Sequence, residues 1–95
     1  MPLAGRRSRL EIYADILRTV QAEASAGRDT NVTRIQLAVR VPFNRFQFYV
    51  DDLAERRLLV KGSSLHITKE GEGFLRQYAT MIRFMDQFGF SQELE

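Results

Sequence analysis

The sequence predicts a mainly α-helical fold of class α+β, in which a helix-turn-helix is followed by a small β-hairpin and a long C-terminal helix. Apolar residues recur at helical spacing across residues 33–58, with one break at Pro42, and then alternate as in a strand. Beyond the hairpin, apolar residues recur at intervals of four, three, four and three over residues 74–88. That repeat is typical of a helix that pairs with another helix.

The chain is expected to begin with a disordered basic arm over residues 1–7, followed by the first helix. Ser8 and Glu11 have the S-x-x-E spacing of a capping box, which starts a helix. In the arm, Arg6 and Arg7 are either solvated or in contact with DNA phosphates. The apolar residues of the helix fall on one face and are predicted to be core: Leu10, Tyr13, Ile16, Leu17 and Val20.

The helix-turn-helix is predicted from one capping box and one proline. Thr33 and Gln36 have the T-x-x-Q spacing, so the first of the two helices is expected to begin there. Pro42 disfavours helical backbone at the residue before it, and its fixed φ suits the first position of a new helix. The second helix is therefore expected to span about 42–57.

This second helix has one apolar face and one polar face. At about 100° per residue, Phe46, Val50 and Leu53 turn inward, whereas Asn44 and Phe48 turn outward. In a DNA-binding helix-turn-helix, the outward side chains at the start of this helix meet base edges in the major groove. Arginine pairs with guanine, asparagine or glutamine with adenine, and phenylalanine touches a thymine methyl. A solvated helix face is the alternative interpretation.

The next segment is predicted to be a hairpin of strands 59–61 and 65–68, joined by a Gly-Ser-Ser turn. Thr68 is placed to cap a further helix, and Gly71, one turn in, is expected at a close backbone approach that excludes a side chain. The tip of the hairpin adds a lysine and serines that could meet phosphate. The predicted DNA-contacting residues are Arg6, Arg7, Arg34, Arg40, Phe43, Asn44, Arg45, Gln47, Phe48, Lys61 and Ser63.

Two stretches resemble the small archaeal winged-helix DNA-binding proteins: 41–59 (VPFNRFQFYVDDLAERRLL) and 65–75 (LHITKEGEGFL). The resemblance covers roughly residues 9–88, and its most specific element is the strand-Thr-x-x-Gly-x-x-Phe-Leu junction. It implies a dimeric DNA-binding protein, either a transcriptional regulator or a chromatin-type binder, with a dimerising C-terminal helix. Family members tend to carry glycine just before the wing. Here Arg57 stands there, and must either take a positive φ or end the helix differently.

The last helix carries more apolar surface than the small domain can cover. From residue 69 to residue 88 it would be about 30 Å long, at 1.5 Å per residue. A symmetric dimer would bury this surface against its copy; the alternative is a helix that folds back over the first helix. The predicted dimer interface consists of Phe74, Tyr78, Met81, Ile82, Phe84, Met85 and Phe88.

The charge distribution, the cysteine content and the length of the apolar runs further restrict the functions expected of the chain. Residues 1–50 hold eight arginines against four acids, and residues 51–95 hold six basic residues against eight acids. The positive half contains the predicted DNA face, as phosphate binding requires. There is no cysteine and no apolar run of membrane-spanning length, so a soluble, cytoplasmic and nucleoid-associated protein is expected.

Catalysis is not expected from this chain. His66 is the only histidine, and it lies on a wing strand between two apolar residues. Ser63 and Ser64 have no base nearby in sequence, and no glycine-rich phosphate loop occurs. Neither an enzyme, a metal, a cofactor nor a small-molecule ligand is predicted.

The sequence thus predicts a homodimer that binds double-stranded DNA, as a transcriptional regulator or an architectural protein. The winged helix-turn-helix domain would span 8–68, the C-terminal dimerisation helix 69–90 and a tail 91–95. The rival interpretation is a winged-helix module that docks a protein through exposed Phe43 and Phe48.

Overall fold

The computed structural model describes residues 7–90. Over that range the chain is mostly helical, with one two-stranded antiparallel sheet. The predicted mainly α fold, with a β-wing and a long C-terminal helix, is confirmed. The elements in chain order are α1 (Arg9–Ser25), α2 (Val32–Val39), α3 (Phe43–Glu55), β1 (Leu59–Lys61), β2 (Leu65–Ile67) and α4 (Lys69–Gln87).

Helix α1 begins at the predicted capping box. The Glu11 N–H donates to Ser8 Oγ over 3.1 Å, and the Ser8 N–H donates to Glu11 Oε1 over 2.7 Å. Two donors that the helix itself leaves unpaired are thereby satisfied. The predicted apolar face is buried apart from Leu10, which is half-buried, and Ile12 and Ala14 widen the buried face.

The predicted start of α2 is wrong by about two residues. Asn31, not Thr33, is the N-cap, and its side chain accepts from the Arg34 N–H over 2.8 Å. Asn31 is held there because it bridges to Ser64 of the wing. Gln36, the other half of the predicted capping box, instead donates from its side-chain amide to the Val41 carbonyl over 2.6 Å.

The turn between α2 and α3 uses two unusual residues. Arg40 ends α2 in the left-handed conformation, with φ of 61° and ψ of 46°. Pro42 then stands at the N-cap of α3, one position earlier than predicted, with φ of −54°. Pro42 breaks the helices as expected, but the left-handed Arg40 does the turning.

The core lies between α1, α2, α3 and the wing. Its largest fully buried side chains include Phe46, Ile16, Leu17 and Ile35. On α2, Ile35 and Val39 are buried, whereas Ala38 is exposed.

The wing forms as predicted and is joined to the rest of the domain at one edge. β1 and β2 pair antiparallel, with Leu59 opposite Ile67 and Lys61 opposite Leu65. The Leu65 N–H also donates to the Thr30 carbonyl over 2.9 Å, so the segment before α2 extends the sheet. This contact fixes the hairpin beside the helix-turn-helix.

Helix α3 ends in a left-handed turn at Arg57, whose φ is 65°. The Leu58 N–H donates to the Leu53 carbonyl and the Arg57 N–H to the Ala54 carbonyl, both over 3.0 Å. This is the Schellman pattern, which usually has glycine at the left-handed position. The first of the two possibilities predicted for Arg57, a positive φ, is the one that occurs.

Helix α4 starts directly against this turn. Thr68 caps it as predicted, accepting from the Gly71 N–H over 2.9 Å, while its hydroxyl donates to the Arg57 carbonyl over 2.8 Å. A Cβ built on Gly71 would lie 2.2 Å from the Leu58 carbonyl oxygen. The predicted close approach at Gly71 is therefore confirmed.

The two halves of α4 differ in their surroundings. Phe74 packs partly against the core, and Tyr78 is buried and stacked on Phe74 with ring centroids 6.0 Å apart. Tyr78, a predicted dimer-interface residue, is thus largely covered by its own chain. In the distal half, Phe84 and Phe88 are more than half exposed. Within residues 7–90, no helix is both long and apolar enough to cross a membrane.

Candidate nucleic-acid interface

The outward face of α3 displays the side chains predicted for base contact. Phe48 is 61% exposed and Phe43 is 52% exposed. Asn44 and Arg45 are also exposed, and Gln47 is half-buried. Because the opposite face of α3 is anchored in the core by Phe46, Val50 and Leu53, this set of side chains is presented on a fixed helix.

Arg45 does not extend freely from α3. Its guanidinium donates to the Tyr49 hydroxyl over 2.9 Å and lies 5.8 Å from the centroid of the Tyr49 ring. Both contacts lie within one turn of the same helix, so the guanidinium rests along α3. Reading a guanine would require Arg45 to leave the Tyr49 ring for the base edge.

Three of the basic residues predicted to contact DNA are paired with acids. Arg34 Nε lies 2.9 Å from Glu23 Oε1, and Lys61 forms an ion pair with Asp51 of α3. Hydrogen bonds from Arg28 and Arg34 hold the pKa of Glu23 below its ordinary value. These pairs offset the positive charge near the interface, which the sequence alone did not reveal because the partners are 10 and 11 residues apart.

Arg7, the third of these residues, was predicted to belong to a disordered arm, but its side chain is bound to the domain. Its guanidinium lies 2.7 Å from Asp15 Oδ2 and donates to the Val39 carbonyl over 2.9 Å. Arg7 therefore ties the start of α1 to the end of α2. Arg6, predicted together with it, lies outside the described residues.

Arg40 differs from Arg7, Arg34 and Lys61 in that no acid is paired with it within residues 7–90. Arg40 is also exposed. Its left-handed backbone places it in the turn between α2 and α3. Ser63, the remaining predicted contact, is exposed in the turn of the wing.

Sequence reasoning missed Leu37, which is 65% exposed on α2. It lies two residues from Ile35 and two from Val39, both of which are buried. Two residues correspond to about 200° around a helix, so the phase of the buried pair would have placed Leu37 outward. With Phe43 and Phe48, the two helices of the helix-turn-helix expose three large apolar side chains.

A polar contact holds α3 against α1. The Tyr13 hydroxyl donates to Asp52, whose other carboxylate oxygen lies 3.2 Å from Arg56 Nε. Burial, and then the bond to Asp52, raise the pKa of Tyr13, while the bond from Tyr13 lowers the pKa of Asp52. Tyr13 also meets Tyr49 edge-on, with ring centroids 5.5 Å apart. These contacts set the angle at which α3 is presented.

Within the described part of the chain, no group of three or more histidine, aspartate and glutamate residues converges to hold a metal ion. The outward surface of α3 carries amide, guanidinium and aromatic groups. These are suited to hydrogen bonding and apolar contact with another molecule.

Comparison with known proteins identifies the domain class. A family model described as winged helix-turn-helix matches residues 6–86. The match covers α1 to all but the last residue of α4. No match was found among curated proteins or among solved structures. A domain of this class suggests DNA binding.

Proposed function

The chain belongs to the winged helix-turn-helix family, and on that premise we propose that it binds double-stranded DNA with α3 in the major groove. The observation that carries this proposal is the outward face of α3, where Asn44, Arg45 and Phe48 are exposed on a helix anchored in the core. These three side chains are open to solvent, and farther along α3 Asp51 pairs with Lys61 of the wing. The face is free to enter a groove.

The side chains on this face have the chemistry for reading base pairs. Asn44 and Gln47 carry amides that can pair with the N6 and N7 edge of adenine, and Arg45 can pair with the O6 and N7 edge of guanine. Phe48 can contact a thymine methyl. Arg45 exchanges its hydrogen bond to Tyr49 for one to the base, so its net contribution is smaller than that of an unpaired arginine.

Backbone contacts in this proposal centre on Arg40. It stands at the turn beside the start of α3, from where a guanidinium can reach a phosphate. Arg34 and Lys61 reach phosphate only by giving up Glu23 and Asp51. Ser63 adds a hydroxyl at the wing. We therefore propose an interface with few strong phosphate contacts.

We also propose that the protein acts as a homodimer through the distal half of α4. Phe84 and Phe88 contact each other with centroids 4.9 Å apart and stay mostly exposed, and Met81, Ile82 and Met85 are only half-buried. A two-fold partner would cover this face and place two α3 helices on successive half-sites. Sedimentation equilibrium of the full chain measures this stoichiometry directly. The dimer serves as a transcriptional regulator or as an architectural DNA-binding protein.

Arg45→Ala tests base readout by α3. Duplexes selected from a random pool by the unaltered protein are compared with scrambled duplexes, using the unaltered protein, Arg45→Ala and Arg76→Ala. We expect the substitution to remove the preference for the selected duplexes. Arg76→Ala, which removes an exposed arginine of α4, should retain it. Equal preference in all three proteins would exclude Arg45 from base readout.

A second candidate function is docking of a protein partner, favoured by the exposure of Leu37, Phe43 and Phe48. In that case these side chains would fill apolar pockets of the partner. Phe48→Ala separates the two proposals. Loss of a protein complex with unchanged DNA affinity supports docking, whereas weaker binding to the selected duplexes supports the groove contact.

A further inference from the structure

A cleft of about 380 Å³ opens between α1, the C-terminal end of α3 and α4. Small-molecule sites in proteins usually measure roughly 300–1,000 Å³. The walls of the cleft are mostly aliphatic and aromatic, and they include two guanidinium groups. The residues that line it are Arg9, Leu10, Tyr13, Arg56, Leu58 and Phe74.

The two arginines of the cleft have unused hydrogen-bonding capacity. Arg56 uses Nε toward Asp52, over 3.2 Å, and its two terminal nitrogens have no partner within residues 7–90. Arg9 lies 5.9 Å from the centroid of the Tyr13 ring and makes no ion pair in the same range. Both guanidiniums lie close enough to Asp52 to lower its pKa. Both side chains line the same cleft.

The charge of the cleft selects a monoanion. Arg56 is paired with Asp52, whereas Arg9 has no ion-pair partner within residues 7–90, so its positive charge is left uncompensated. A guanidinium fork matches a carboxylate in geometry, and such charge-assisted bonds are stronger than neutral ones. Leu10, Leu58 and Phe74 supply the apolar surface that would cover the rest of a ligand.

We propose that this cleft binds a small molecule with an aromatic or aliphatic body and one carboxylate. The carboxylate lies between Arg9 and Arg56, and the body packs on Phe74. A peptide helix does not fit, since one turn about 10 Å across and 5.4 Å long occupies roughly 400 Å³ by itself. The ligand touches the C-cap of α3 and a residue of α4 at once, so it adds contacts between these two helices.

Titration of the full-length ¹⁵N-labelled chain with 2-naphthoate, followed by amide chemical shifts, tests this proposal without DNA. We expect saturable shifts at Leu10, Leu58 and Phe74. Removing one charged hydrogen-bonding partner costs about tenfold in affinity, so Arg9→Gln and Arg56→Gln should each weaken binding by about that factor. The neutral analogue 2-naphthamide should bind more weakly than 2-naphthoate by a similar factor.

Arg28→Gln is the matched control, because it removes an exposed arginine that does not line the cleft. It should bind 2-naphthoate as the unaltered chain does, and thermal unfolding checks that all three variants are folded. Three results would overturn the proposal. They are the absence of saturable shifts, equal binding of the acid and the amide, and shifts confined to residues 81–88.

Discussion

Two arginines of this protein hold the left-handed backbone that normally selects glycine. Arg40 has φ of 61° and Arg57 has φ of 65°. For a residue with a Cβ this conformation costs roughly 1–2 kcal/mol. At Arg57 the C-terminal hydrogen bonds of α3 offset the cost. At Arg40 the strained backbone lies in the turn of the helix-turn-helix. The proposed function places the Arg40 guanidinium on a DNA phosphate at this same turn.

Arg57→Gly should raise the free energy of unfolding by about 1 kcal/mol, because glycine adopts the left-handed conformation without strain. Urea unfolding measures the change. Arg56→Gly is the matched control: Arg56 has φ of −79° and pairs with Asp52. That control should lower stability. A stability gain at neither position would show that the backbone at Arg57 is not strained.

Acidification should remove the contribution of Asp52 to stability. Its folded pKa lies below the ordinary value of 3.8, chiefly because Tyr13 donates a hydrogen bond to it. A carboxyl with a lowered folded pKa stabilises the fold above its unfolded pKa, and this contribution disappears as the pH falls through the folded pKa. Asp52→Asn should therefore unfold at lower urea than the unaltered protein at pH 7, with the gap narrowing below about pH 4. A gap that stays constant with pH contradicts this role.

On α3 the exposure of single residues was predictable from the sequence, but the pairing of charges was not. The helical phase of α3 put Phe46 inward and Phe48 outward, and both are found so. By contrast, the pairs of Arg34 with Glu23 and of Lys61 with Asp51 join different elements of the fold. No local pattern reports such pairs, since they depend on how the helices and the wing pack.

At the scale of elements, the junction between the wing and α4 depends on Gly71. Gly71→Ala would place a Cβ 2.2 Å from the Leu58 carbonyl oxygen and 2.7 Å from Ile67 Cγ1. The Leu58 carbonyl is backbone directly before β1 and cannot shift without disturbing the wing, so we expect a loss of about 2–4 kcal/mol in the free energy of unfolding. Thermal or urea unfolding measures it.

Gly73→Ala is the internal comparison for that substitution. A Cβ at Gly73 would meet only Arg76 Nη2, at 3.7 Å. Alanine there should stabilise α4 by up to about 1 kcal/mol through helix propensity. Equal effects at Gly71 and Gly73 would contradict the close approach of α4 to Leu58.

Helix boundaries were predictable where the capping residues are close together in sequence. They were not predictable where the cap depends on a contact with a distant part of the chain. Ser8 and Glu11 satisfy each other within one turn, and the sequence located them correctly. For α2 the T-x-x-Q pattern at Thr33 was misleading. The Asn31 cap is set by pairing with Ser64, which is 33 positions away and visible only in the folded chain.

At the scale of the whole molecule, the distal half of α4 exposes apolar side chains that a single chain does not cover. Met85→Glu should shift the protein toward monomer in sedimentation equilibrium, because it puts a charge into the proposed apolar interface. Arg83→Glu introduces a glutamate at an exposed position about 160° around α4 from Met85 and should leave the assembly unchanged. Dissociation by both substitutions, or by neither, would contradict the proposed interface.

The fold was predictable as a whole because each segment carries its own signal. The break at Pro42, the hairpin turn and the Thr68 cap each specify one element, and their order leaves little choice of topology. The strength of DNA binding was not predictable from the sequence. It depends on how many arginines remain unpaired after folding. Arg7, for example, was predicted to contact DNA but pairs with Asp15 inside the domain.

The most direct test of DNA binding is fluorescence anisotropy of a labelled mixed-sequence duplex, titrated with the protein at several salt concentrations. The logarithm of the binding constant should fall linearly with log salt. Arg40 supplies one phosphate contact per protomer and two in the dimer, so Arg40→Ala should reduce the magnitude of the slope by about 2. An absence of binding at low salt, or a slope that Arg40→Ala leaves unchanged, would contradict the account.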